Sequence, residues 1–159
     1  MNTSRILKTF LVIGLVAVGG IFFLFYRFYQ HDIKALENFT AAYRVFDQSM
    51  SDFSGAVFAS NPENMPPTNY LEQKADAELA DLTTKSSARI SSMIKNEGDV
   101  MRTNTEIAAL AGKELDALKA YQIAAAEKSP NLEGLANQLH ELTAQRQAAY
   151  THLLSLGGE

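Results

Sequence analysis

Arg146 stands in a row of leucines. Leu132, Leu135, Leu139, Leu142, Ala149, Leu153 and Leu156 follow a three-four alternation along the C-terminal segment, and Arg146 is the one charged member of that row. A guanidinium on an apolar helix face has two uses. It can pair with a carboxylate inside the core and fix register at little net gain in stability, or it can serve as counter-ion to a small anionic or amphipathic molecule held between helices. Glu114, between Ala111 and Leu118 on the inner side of another apolar row, is the acid placed for the first role. The aromatic row Phe39, Tyr43, Phe46 and Phe53 poses the same kind of choice, between filling a core and docking a partner helix or amphiphile. Phe39, Tyr43, Phe46 and Arg146 are therefore the candidate interaction or ligand residues.

No catalytic constellation stands beside them. The histidines are His31, His140 and His152. His140 and His152 lie 12 residues apart on one segment, which at ~100° per residue points them about 120° apart, too far round to share a metal. His140-Glu141 opens like the H-E-x-x-H zinc motif, but position 144 is Ala. A di-iron bundle needs Glu-x-x-His pairs on two helices, and the chain has none. Phosphate-cradling glycine loops and nucleophile elbows are absent too. With zero cysteines there is no disulfide, thiol nucleophile, cysteine metal site or haem attachment. The expectation is a protein that is not an enzyme and carries no cofactor and no metal.

Charge is unevenly spread. From Gln30 onward there are 11 Lys and Arg against 18 Asp and Glu, a charge of −7, whereas Arg5, Lys8 and Arg27 all belong to the N-terminal stretch. An acidic domain of this kind is repelled by phosphate backbones, so nucleic acid is not an expected partner.

The elements that must position these residues start with an anchor. Thr9 to Tyr26 is 18 residues without a charge. A ~30 Å hydrocarbon core needs roughly 20 residues of helix, a length reached when Lys8 and Arg27 snorkel at the two ends. Tyr26 and Tyr29 suit the membrane–water interface. The rival is a cleaved secretory signal, with small residues at Ala17-Val18-Gly19. Cleavage there would leave Gly20 to Tyr26 as an apolar terminus that a soluble domain could not easily hide, so an uncleaved anchor over 1–29 is expected. The distribution of Arg and Lys gives a slight bias for a cytoplasmic N-terminus and an extracytoplasmic bundle.

Residues 30–159 read as helices at about 31–59, 70–95, 99–128 and 131–156. In the first, Leu36, Tyr43, Met50 and Val57 alternate with Phe39, Phe46 and Phe53 as a buried seam. The heptad extends back through Tyr29, Phe25 and Phe22, interrupted at Asp32, so anchor and first helix are expected to be continuous. Pro62, Pro66 and Pro67 end that helix. Asn69 with Glu72, and Thr103 with Glu106, have capping-box spacing. Gly98 is the expected left-handed stop between the second and third helices, with Asp99 capping the third. The alternative is one long helix over 70–127, giving a three-helix arrangement. Pro130 fits the first position of the last helix, and Gly157-Gly158 end it.

The fold class is thus all-α: a single N-terminal transmembrane helix continuous with an antiparallel four-helix bundle. The expected function is a non-enzymatic interaction or scaffold module at the cell membrane, single-pass, with the bundle periplasmic or extracellular. Its partners would be the bilayer and another membrane or envelope protein, or a second copy. The alternative is an extracytoplasmic ligand-binding sensor or carrier.

Overall fold

The structure, a computed structural model, describes residues 3–59, 67–90 and 96–156, with side chains from Gly14 onward. Among the described residues there are four α-helices and no strand: α1 (Thr3–Phe58), α2 (Thr68–Ser86), α3 (Glu97–Ala126) and α4 (Leu132–Leu156). Together they make a helical bundle. The helices alternate in direction. Asp32 on α1 lies at the same end as Ile90 and Glu97, whereas Phe58, closing α1, packs on Tyr121 near the end of α3 with ring centroids 4.7 Å apart. Between α2 and α3, Lys119 reaches Asp76 at 2.7 Å and Glu72 at 3.6 Å. Burial works to lower the pKa of Lys119, but the hydrogen bond and charge of Asp76 outweigh it and hold the value above the ordinary lysine range.

α1 runs unbroken from the apolar stretch into the bundle because no helix breaker stands at the junction. Between Gly20 and Gly55 there is neither Gly nor Pro. Its seam is buried as the heptad predicts, with Phe39, Tyr43, Phe46, Met50 and Phe53 in the core. The backward extension of the heptad has a different fate: Phe22, Phe25 and Tyr29 are exposed, and burial begins at Asp32. Among the described residues no helix is long and apolar enough to cross a membrane. The expected span from Thr9 takes in positions 9–13, whose side chains lie outside the described residues.

The second helix departs from expectation at both ends. It starts with Pro67 at the N-cap, whose carbonyl accepts from the N–H groups of Tyr70 and Leu71 at 3.0 and 3.3 Å. Asn69 therefore sits inside the first turn, where its Oδ1 accepts from Tyr70 N–H, and the capping box with Glu72 does not form. The helix ends at Ser86, well short of 95. The hydroxyls of Thr84, Ser86 and Ser87 donate back to the carbonyls of Ala80, Thr83 and Thr84 at 2.7 to 2.9 Å. Such bonds compete with the helical ladder, and here residues 88–90 leave the helix. The single long helix over 70–127 is excluded by the same break.

The left-handed residue before α3 is Asn96, at φ 65° and ψ 28°, not Gly98. Asparagine tolerates this region better than most residues. Gly98 lies in the first turn of α3, and Thr103 is buried within that helix, so neither Asp99 nor Thr103 caps it. At the other end, Lys128 takes φ 54°. The N–H of Ser129 bonds to Ala124 carbonyl at 2.9 Å and that of Lys128 to Ala125 carbonyl at 3.2 Å, the Schellman arrangement with a lysine where glycine is usual. α4 opens at Leu132, two residues later than Pro130 at the first helical position implies, with Asn131 carbonyl accepting from Leu135 N–H. Residues 60–66, 91–95 and 157–159, which hold Pro62, Pro66 and the terminal glycine pair, lie outside the described residues.

Candidate functional site

The three-four alternation of α4 turns Leu139, Arg146 and Leu153 inward. Arg146 is 2% exposed, and its partner across the α3–α4 interface is Glu114, 4% exposed. Arg146 Nε donates to Glu114 Oε2 at 2.5 Å. The pairing expected from the two seam positions is present, and the sequence separation of 32 residues makes it a clasp between the last two helices.

Two more groups join from α1. Arg146 Nη1 donates to the Tyr43 hydroxyl at 2.9 Å, and Nη2 lies 2.8 Å from Asp47 Oδ1. The guanidinium carbon also stands 5.3 Å from the centre of the Tyr43 ring and 5.6 Å from that of Phe46, within cation–π range. All three nitrogens of Arg146 are therefore engaged by groups of this chain. Burial acts to lower its pKa, but the hydrogen bond and charge of Glu114 prevail and hold it above the ordinary arginine range. Burial pushes the Tyr43 phenol up to about 12; the Arg146 charge opposes this, and Asp47, Glu114 and Tyr150 reinforce it.

Glu114 has a further neighbour in Thr143, whose hydroxyl lies 2.7 Å from Oε1 and 2.9 Å from Leu139 carbonyl. Its single proton serves one acceptor at a time. Tyr150, one turn beyond Arg146, stacks on Tyr43 with centroids 3.8 Å apart and planes 13° apart. The Tyr150 hydroxyl is buried without a hydrogen-bond partner. α4 is thus held to α1 by long side chains meeting across the gap: guanidinium on phenol and carboxylate, and ring on ring.

The structure brings Tyr43, Phe46 and Arg146 together and places Phe39 one turn before Tyr43 in the same core. Phe39 and Phe46 are fully buried. As a docking stripe these residues present no surface on the folded chain; the longest run of exposed apolar side chains lies instead on α1 from Leu15 to Tyr29. Asp47 and Tyr150 were not singled out by the sequence. The available signal was their offset, since Asp47 follows Phe46 by one and Tyr150 follows Arg146 by four.

What this cluster can do chemically is limited. Its acid is paired and its phenol keeps its proton at neutral pH. His140 lines a cavity of about 230 Å3 with Glu114, Thr143 and Phe58, but it is exposed. Among the described residues no three His, Cys, Asp or Glu side chains stand together as metal ligands. Neither a family model, nor a curated protein, nor a solved structure matches this chain.

Proposed function

We propose that this protein is a single-pass membrane-anchored helical bundle acting as a non-enzymatic interaction module at the membrane surface. The carrying observation is the surface of α1 between Leu15 and Tyr29. Val16, Phe22, Phe23 and Tyr26 are each more than 60% exposed, and every residue from Leu15 to Tyr29 is exposed. A helix that is apolar all round needs a non-aqueous surrounding or a partner. The uncharged run continues back to Thr9, and Tyr26 and Tyr29 mark its end, which supports lipid as that surrounding. Anchoring confines the acidic bundle to a surface, where weak contacts gain from effective concentration.

The rival reading makes Arg146 the counter-ion of a bound anion. Arg146 is already enclosed by Glu114, Asp47 and Tyr43, so that reading has no free charge to rest on.

The test starts with membranes from cells expressing the full chain, washed in alkaline carbonate. Retention in the pellet supports the anchor, and recovery in the wash overturns it. Because the protein has no cysteine, a Glu127→Cys variant then reports the side. Labelling of intact cells by an impermeant maleimide puts the bundle outside the cytoplasm, and protection until lysis puts it inside.

A further inference from the structure

We infer that the cavity where α1 leaves the bundle seats the headgroup of one bilayer phospholipid, of the kind that carries both a phosphate and a primary ammonium. The inference rests on the membrane-anchored reading. The cavity measures about 810 Å3, within the range of pockets that hold small molecules. Leu24 and Phe28 on α1 form one apolar wall, and Ile90 and Met101 face them. Such walls suit the first carbons of an acyl chain.

The charges around it are the specific feature. Arg27 and Arg89, brought from opposite sides, both line the cavity, and so does Glu97 at the start of α3. None of these three has an ion-pair partner among the described residues. Asp32, also lining, is buried with His31 Nδ1 3.5 Å from its Oδ1. Arg27 is the first charge after the uncharged run and lies between Tyr26 and Tyr29, the depth at which headgroups sit. Two guanidiniums match a phosphodiester by charge-assisted hydrogen bonds. A headgroup with phosphate alone would leave Glu97 facing a like charge; a headgroup that also carries an ammonium satisfies it.

The experiment reconstitutes the full chain in vesicles of equal parts phosphatidylethanolamine, phosphatidylglycerol and phosphatidylcholine. Flotation is scored first, then retained lipid by native mass spectrometry after gentle detergent release. The expected result is one phosphatidylethanolamine held in preference to the others. Arg27→Gln with Arg89→Gln should lower its retention about tenfold, as loss of two charge-assisted contacts implies. Glu97→Gln should erase the preference for the amine-bearing lipid, and the melting temperature should be unchanged in both variants. Equal retention of the three lipids, or retention unaffected by the double substitution, overturns the inference. Displacement by soluble glycerophosphoethanolamine overturns the lipid assignment in favour of a free phosphate ester. Protein that does not float fails the anchor reading; protein that floats without selectivity fails this inference alone.

Discussion

Arg146 on α4 and Tyr43 on α1 meet twice, once through a 2.9 Å hydrogen bond to the phenol oxygen and once through the ring face at 5.3 Å. Glu114 closes the arrangement from α3. Helices α1, α3 and α4 are thus tied at one level of the bundle by a single guanidinium.

Removing that guanidinium alone should be costly. Arg146→Met leaves the buried Glu114 without its counter-charge, a loss of about 3–5 kcal/mol. Adding Glu114→Met should restore most of this, because two apolar side chains of similar size can replace a buried pair at little cost. Urea denaturation of the two variants tests the claim. A double variant no more stable than the single one would show that the pair itself, not the stranded charge, carries the stability.

Tyr43 gives the bundle an alkaline limit. Burial holds its folded pKa at about 12, above the ordinary tyrosine value of about 10, so the folded state holds the proton more tightly than the unfolded chain. The associated stability is fully present below pH 10 and is lost as pH rises through 10 to 12. The window is worth roughly 2–3 kcal/mol. Unfolding free energies measured between pH 9 and 12 should fall less steeply in Tyr43→Phe than in the parent.

Phe46 is fully buried, and Phe46→Ala should cost about 3–5 kcal/mol through lost transfer energy and the cavity left behind. The melting temperature reads this directly. A variant that keeps its melting temperature but loses a partner would return Phe46 to a docking role.

The turn before α3 is tested by two opposite substitutions. Gly98→Ala should stabilise by about 0.5–1 kcal/mol, because Gly98 is helical and its added Cβ meets nothing within 4 Å. Asn96→Ala should destabilise by about 1 kcal/mol, since Asn96 holds a positive φ. Thermal melts with the signs reversed would move the left-handed residue back to Gly98. By the same logic Lys128→Gly should raise the melting temperature.

Sequence pattern captured the long seams best. Phe39, Phe46 and Phe53 recur every seven residues and are buried, and so are Leu139, Arg146 and Leu153 at the same spacing, while the alternate row of α4 is half-buried. The Arg146–Glu114 pair was legible for the same reason, because each residue interrupts an otherwise apolar row. What resisted reading depended on local competition. At Thr84, Ser86 and Ser87, side-chain hydroxyls bond the preceding turn and end α2 early, an effect periodicity does not register. At the turn into α3, Gly98 looked like the residue for a positive φ, yet Asn96 adopts it. Asp47 and Tyr150 join the site because of where α4 crosses α1, a tertiary fact absent from either helix taken singly.

The unbroken course of α1 has a mechanical meaning. A helix of 56 residues is about 84 Å long at ~1.5 Å per residue. From Ile21 to Ser54 it contains no glycine or proline at which to hinge. Whatever grips residues 15–29 therefore holds one end of a stiff lever whose other end is the core itself. A tilt or a twist imposed there meets no hinge before Phe39, Tyr43 and Phe46, and Arg146 ties that level of α1 to α3 and α4.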